Sequence, residues 1–357
     1  MTSISIFEFV CGGGLLAEPL SAIPDGWRSE GLAMLQALAA DCGRCQALQV
    51  HVAWDERFGL AEIPEVEVHP LQPDLAWLPQ WEALAQGTGL SLVIAPETDG
   101  CLASITDKLR SGGHVLVNAD AEFMAACSDK WLTAQALAAR GIPHPPTRLG
   151  GDEPSFAAAV AAADNAAWII KPRDGAGCQE TWRVPTAELE RCHEFASDRY
   201  LIQPWLEGIP GSLAVLCGPE TRVVLPPMQQ LLQFLPEDRR DRLCYRGGHG
   251  PWFPLSADTL ERFALGVLDA IPGEPAGWIG IDFLYRPQVA QQPLLAIEIN
   301  PRLTTSYLGV RECLQQNVAE LMLKAWQGHR VGYALNGQTI DFTPFRVKRA
   351  PTREGFE

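Results

Sequence analysis

Two apolar stretches in the C-terminal part of the chain constrain its fold most: Gly277–Arg286 (GWIGIDFLYR) and Leu294–Arg302 (LLAIEINPR). In the first, Trp278, Ile279, Ile281, Phe283 and Leu284 are apolar and Asp282 interrupts them. In the second, Leu294, Leu295, Ile297 and Ile299 are apolar, with Glu298 and Asn300 as the interruptions. Strand side chains alternate faces with a period of two, so Glu298 and Asn300 share one face. The segment between the stretches, Pro287–Pro293 (PQVAQQP), reads as a hairpin connection that carries Asp282 to the same surface. Two carboxylates and an amide oxygen form a hard ligand set, suited to Mg²⁺ held against phosphate oxygens. Any one of the three alone is an ordinary polar position on a solvated sheet face. Their joint placement in two apolar strands, followed by Pro301-Arg302, argues for a site.

A second signal lies upstream. Trp168–Pro172 (WIIKP) is an apolar strand ending in lysine and proline, and Arg173–Cys178 (RDGAGC) follows at once. In this K-P-x-x-G-x-G pattern, Lys171 supplies a compact positive charge for phosphate. Gly175 and Gly177 let the loop fold over phosphates with its amides inward. The order, lysine before glycines, differs from a Walker A loop, and GxxxxGK[ST] is absent. Lys130 opens a helix that runs to Arg140 and ends at Gly141, ahead of Ile142-Pro143-His144-Pro145-Pro146. Leu201–Gly208 (LIQPWLEG) is another strand and then a turn.

The N-terminal part alternates strand and helix. Strands are expected at Ser3–Val10, Gln46–Ala53, Leu90–Ala95 and, briefly, His114–Asn118, with helices at Leu32–Ala40 and around Thr106–Arg110. Such alternation implies a parallel sheet with helices on both faces. Ligands of such sheets sit beyond the carboxyl ends of the strands. Gly12-Gly13-Gly14 and the polar turn Pro96–Gly100 occupy that kind of position. The glycines suit either a tight turn or the close approach of a carboxylate or phosphate. Farther on, Ser212–Cys217 and Arg222–Leu225 read as adjacent strands. Arg246, in a Tyr-Arg-Gly-Gly segment read as a loop, matches a substrate carboxylate bidentately or is simply a surface arginine. Leu260–Ala270 and Val310–Trp326 read as helices, periodicity fades beyond Gly328, and Lys348–Glu357 reads as a loose tail.

Composition removes some function classes. The chain has 357 residues, 47% of them hydrophobic, enough for two or three packed domains. A net charge of −15 without a long basic run argues against nucleic acid and anionic membrane as partners. It does not exclude an anionic substrate, because local clusters matter more than the total. No apolar run reaches a membrane span, and MTSISIFEFV lacks the basic start of a signal peptide. The ten cysteines are scattered. Cys42 and Cys45 form one CxxC, weak evidence for zinc without a second pair, so free thiols in a reducing cytoplasm are expected.

The ordered set Lys130, Lys171-Pro172-x-x-Gly175-x-Gly177, Gln203–Gly208, Asp282 and Glu298-x-Asn300-Pro-Arg302 resembles the ATP-grasp superfamily over residues 118–327. The resemblance implies an α/β protein, α+β in its ATP-grasp part. A Rossmann-like pre-ATP-grasp domain at 1–117 would precede a small nucleotide-binding lobe at 118–205. A metal and substrate lobe at 206–330 and a tail at 331–357 would follow. It implies ATP with Mg²⁺ (or Mn²⁺), phosphates held by Lys130, Lys171, Arg173, Gly175 and Gly177, and metal held by Asp282, Glu298 and Asn300. Adenine would lie against Gln203, Trp205, Leu206 and Leu284, and Glu207 would meet the ribose, although Pro210-Gly211-Ser212 stands where other members keep a glutamate. Arg302 and Lys171 would be catalytic, and Gly12, Gly13, Gly14, Arg246 and Thr304 would contact substrate. The implied reaction is ADP-forming carboxylate–amine ligation through an acyl phosphate.

More narrowly, Phe7-Glu8-Phe9-Val10-x-Gly12-Gly13-Gly14, Pro96–Gly100 and Asn300–Tyr307 (NPRLTTSY) look like the tyramine–glutamate ligase group of methanofuran-type cofactor synthesis. An amino acid and an amine are then the implied partners, in the cytoplasm. A homodimer is compatible with the sequence, which does not fix the oligomeric state. Rival readings are an ATP-grasp ligase or carboxylase with another substrate pair, and a nucleotide-binding regulatory protein without turnover.

Overall fold

The computed structural model describes residues 2–59, 63–151 and 166–349. Four strands, β1 (Thr2–Glu8), β2 (Leu48–Trp54), β3 (Glu67–Pro70) and β4 (Leu90–Ile94), form a parallel sheet in the order β3-β2-β1-β4. Helices α1 (Asp25–Gly43), α2 (Trp77–Gln86) and α3 (Cys101–Ser111) connect and cover it. The expected strand at His114–Asn118 is instead a single bridge, Leu116 to Ser91. The Asn118 side chain takes the place of further ladder bonds by accepting from Val93 N (2.9 Å) and donating to Val93 O (2.8 Å).

Helices α4 (Ala121–Ser128) and α5 (Lys130–Ala139) lead into a second, antiparallel sheet. Asp129 caps α5 by accepting from Trp131 N at 2.9 Å, which fixes Lys130 at the first helical position. The small lobe is built from β5 (Arg148–Leu149), β6 (Ala167–Pro172), β7 (Trp182–Pro185) and β8 (Tyr200–Pro204). Trp168, Ile170, Val184, Phe195 and Ile202 give it a core of its own. The large lobe holds β9 (Ile209–Gly218), β10 (Thr221–Val224), β11 (Met228–Glu237), β12 (Arg240–Gly250), β13 (Gly277–Tyr285) and β14 (Leu294–Asn300). Among the described residues the strand order is β14-β13-β9-β11-β12-β7-β6-β8-β5, so the β12–β7 pairing joins the lobes.

Three readings of the sequence change. The Tyr245–Gly248 segment is strand, not loop, because β12 pairs with β11 on both sides of a bulge at Arg246. The helix expected over Val310–Trp326 is two, Ser306–Cys313 and Val318–Trp326, since Asn317 caps the second through Ala319 N at 2.9 Å. Residues 340–349 are not a tail: β15 (Ile340–Thr343) pairs with β12 and with β16 (Arg346–Arg349). Ile340 and Phe342 alternate inward and are 0% and 2% exposed, an anchor too short to show as periodicity. The rest of the expected tail, 350–357, lies outside the described residues.

One core spans the N-terminal sheet and the helices after β14, including Ile4, Leu35, Leu38, Trp278, Tyr307 and Met322. Each such fully buried side chain contributes roughly 1.5–3 kcal/mol. A polar knot pins the same junction. Buried Asp41 accepts from Tyr307 Oη at 2.7 Å and from Arg311 Nε and Nη2 at 2.8 and 2.6 Å. The N-terminal domain is thereby tied to the helix that follows β14.

Candidate active site

A cavity of about 560 Å³ lies between the two lobes and reaches the N-terminal domain. Its floor is the β13–β14 hairpin. Asp282 stands opposite Glu298, Gly280 opposite Asn300, and a bulge follows Asp282. This register puts Asp282, Glu298 and Asn300 on the cavity wall together, as their spacing predicts. Asn300 Nδ2 lies 3.4 Å from Asp282 Oδ2, and Gln230 Nε2 donates to Asp282 Oδ1 at 2.9 Å.

Two facing carboxylates repel in a poorly hydrated place. Burial, and then the Glu298 charge, push the Asp282 carboxyl up to about 7. A cluster of hard oxygens with two facing carboxylates fits a divalent cation, and Asp282, Glu298 and Asn300 are the residues that would hold it. Two lysines complete the electrostatics. Lys130 Nζ donates to Gly175 O at 2.9 Å and lies 3.2 Å from Glu298 Oε1. Lys171 is 5% exposed, and burial, with Lys130 adding to it, pulls its pKa down against the attraction of Glu298. A polyanion entering here gains two cations whose desolvation the fold has already met.

The glycine loop follows β6 directly. Gly175 and Gly177 have φ of 118° and 66°, the region where a side chain is strained. Asp174 Oδ2 accepts from Asp99 N at 2.6 Å, tying the loop to the N-terminal domain. At the other end of the cavity, Gln203, Trp205, Leu206 and Leu284 line an apolar slot with Ile169 and Pro204. Trp205 N donates to Ala167 O at 2.9 Å, so the chain leaves β8 just after this slot. Thr304 also lines the cavity, and its Oγ1 accepts from Trp278 Nε1 at 3.2 Å.

Arg302 lies on the cavity wall and is 9% exposed. Its Nε and Nη2 donate to Glu97 Oε1 and Oε2 at 2.8 and 3.0 Å. Two segments that the sequence singled out separately, Pro96–Gly100 and Asn300–Arg302, thus meet through one buried ion pair. No local spacing links positions this far apart, so sequence reasoning missed the pairing.

Four expectations do not match the geometry. Arg173 points away from the cavity and pairs with Asp129, its Nε lying 3.2 Å from Oδ1. Glu207 does not line the cavity either; its Oε1 accepts from Trp205 Nε1 at 2.6 Å. Arg246 is exposed and donates to Gln233 Oε1 at 2.8 Å. Period-two alternation on β12 gives the cavity position to its neighbour Tyr245 instead. Gly12, Gly13 and Gly14 line no cavity described here. The amides of Gly12 and Gly14 are spent on Glu8 O and Phe9 O, both at 2.7 Å, so the glycines make a tight turn. Cys42 is buried in α1, and both Cys42 and Cys45 are free thiols.

A hairpin of hard oxygens, two buried lysines and a left-handed glycine loop around one interlobe cavity define a nucleotide-phosphate site of the two-lobed type. Comparison with known families agrees. The ATP-grasp domain model matches residues 127–306 and the pre ATP-grasp 3 domain model residues 48–122. The chain belongs to the ATP-grasp domain family. No curated protein matches the sequence. Among solved structures, an ATP-grasp superfamily protein from Archaeoglobus fulgidus is 21% identical, with a TM-score of 0.67 over 96% of this chain and 92% of that one. The N5-carboxyaminoimidazole synthase of Aspergillus clavatus, solved with ADP and 5-aminoimidazole ribonucleotide, is 14% identical (TM-score 0.63; 95% and 81% covered). Campylobacter jejuni biotin carboxylase is 15% identical (TM-score 0.68; 95% and 75% covered). At these identities the likeness concerns the fold. No helix among the described residues is long and apolar enough to cross a membrane.

Proposed function

We propose that the protein is an ADP-forming carboxylate–amine ligase. The observation that carries this reading is the convergence of Asp282, Glu298, Asn300, Lys130 and Lys171 with the Gly175–Gly177 loop on one cavity. Lys130 and Lys171 hold the β- and γ-phosphates of ATP, and the loop amides close over them. Gln203, Trp205, Leu206 and Leu284 enclose the adenine. A bound Mg²⁺ would supply positive charge where the phosphoryl group gains negative charge. One carboxylate oxygen of the acid substrate bonds to the γ-phosphorus while the bond to the ADP oxygen breaks. The amine lone pair then forms the C–N bond, phosphate leaves with the C–O electron pair, and the surplus N–H proton passes to solvent or phosphate. Arg302, fixed by Glu97, has N–H groups left over to steady the oxyanions, and Thr304 lies beside it on the wall. The lobes and loop keep water from the acyl phosphate.

Glutamate as the acid and tyramine or another phenolic amine as the nucleophile is the pairing we favour, from the Phe7–Gly14 and Asn300–Tyr307 segments. The test is ADP release over amino acids crossed with amines, tyramine and tyrosine included. Amine- and acid-dependent ADP release supports ligation. Release that needs neither substrate, or a panel in which other amines react and every phenolic amine is inert, would overturn the ligation or the pairing respectively.

A further inference from the structure

A second cavity, of about 350 Å³, lies at the carboxyl ends of β1 and β4, beside the glycine loop. Ala176, Gly177, Gln179, Glu30 and Arg302 line both cavities, so the second adjoins the first at the glycine loop and Arg302. Its walls are apolar, with Phe9, Met34, Ile94 and Pro96 prominent, and Trp27, still 41% exposed, belongs to them.

The charged groups in its lining are Glu8, Glu30, Asp99 and Arg302. Arg302 is already held bidentately by Glu97, so its charge is answered from within the fold. Glu8 is 4% exposed and rests on backbone amides, Cys11 N donating to its Oε2 at 2.7 Å. No lysine, arginine or histidine among the described residues forms an ion pair with Glu8 or Glu30. Burial pushes both carboxyls up, Glu8 to about 7 and Glu30 against the pull of Arg302, so each tends to give up its charge unless a ligand brings a cation. An anionic ligand would meet three acidic side chains and a guanidinium that is already paired. A hydrocarbon alone would offer neither glutamate a partner.

We infer that this cavity seats the nucleophile, a primary amine bound as its ammonium, with a flat or apolar body packed on Phe9, Met34 and Ile94 and its charge facing Glu30 and Glu8. This rests on the ligase reading for its role in turnover, but the cavity's preference for a cation stands on its own lining. Glu30, on the wall of both cavities, faces the amine at the point where it must reach the acyl carbon.

The experiment is calorimetric titration of the full chain with phenethylamine, and with 3-phenylpropionate as the anion of similar size. Phenethylamine is expected to bind, and 3-phenylpropionate to bind at least tenfold more weakly. Glu30→Gln is expected to weaken phenethylamine at least tenfold, and Trp27→Ala to weaken both probes by a smaller factor, with thermal melting showing each variant folded. Equal affinity for the two probes, or phenethylamine binding unchanged in folded Glu30→Gln, overturns the inference. A separate assay divides it from the ligase reading: wild-type protein with ATP, glutamate or another amino acid, and hydroxylamine. Hydroxamate without phenethylamine binding leaves the ligase and removes the amine seat. Phenethylamine binding without hydroxamate from any acid does the reverse.

Discussion

The two cavities adjoin, yet their charges are arranged differently. The larger brings Lys130 and Lys171 against Asp282 and Glu298, a mixed field that a metal–polyphosphate complex completes. The smaller has carboxylates in an apolar shell and a guanidinium that is already paired. Glu30, Arg302 and the glycine loop form the partition between them. The difference teaches how one enzyme can gather an anion and a cation without mixing them. Only the partition is shared.

Lys171→Ala should break the larger cavity most severely. Steady-state ADP formation is expected to fall about a thousandfold, which is roughly 4 kcal/mol. Phenethylamine binding should persist, and melting should stay the same or rise, because a buried cation is removed. Near-normal turnover would take Lys171 out of the phosphate site.

Glu97→Gln acts on the partition. It leaves Arg302 buried without its anion, a loss of roughly 3 kcal/mol in chemical denaturation. Both ATP turnover and amine binding should suffer, in contrast to Lys171→Ala. A variant with wild-type stability would show that the pair is not what holds Arg302 in place.

Glu298→Gln and Asn300→Ala sharpen the metal side. Each is expected to raise the Mg²⁺ requirement and lower kcat about a hundredfold, roughly 2.7 kcal/mol, with melting nearly unchanged. If they unfold instead, the two residues serve the fold and not the metal.

The effect of Glu8 is on stability and has the opposite sign. Burial pushes its carboxyl up from 4.5 to about 7. The native state therefore holds a proton that the unfolded chain has released, and stability falls as pH rises from about 4.5 to 7. Glu8→Gln should match wild type below pH 4.5 and exceed it above pH 7, by at most about 3 kcal/mol. It should also bind phenethylamine less tightly. Denaturation midpoints at pH 4.5 and 8 check the sign, and a variant less stable at pH 8 would contradict it.

The larger cavity was legible because its parts are local. Strand alternation decides which faces Asp282, Glu298 and Asn300 occupy, and the Lys171 loop is contiguous in sequence. Family resemblance grouped Gln203, Trp205, Leu206 and Leu284, and the four line the same cavity. Arg246 was placed at substrate because Tyr245–Gly248 was read as a loop; it is strand, and Arg246 is the exposed bulge residue paired with Gln233. Arg173 failed because Asp129, far off in sequence, competes for it. The smaller cavity draws on the Phe7–Val10, Pro96–Gly100 and Asn300–Tyr307 segments, but no spacing showed that they share one wall. Glu8, Glu30 and Arg302 come together only through the packing of β1, α1 and the turn after β14. The 340–349 hairpin was missed for a related reason, since two inward residues are too few to show a period.

In the proposed reaction the acid's own oxygen attacks the γ-phosphorus before the amine attacks the acyl carbon. Transfer of ¹⁸O from the labelled carboxylate of the acid substrate tests it most directly. The account predicts one labelled oxygen in each released phosphate, with ADP and amide in equal amounts. Label in AMP, with pyrophosphate as the other product, would contradict it.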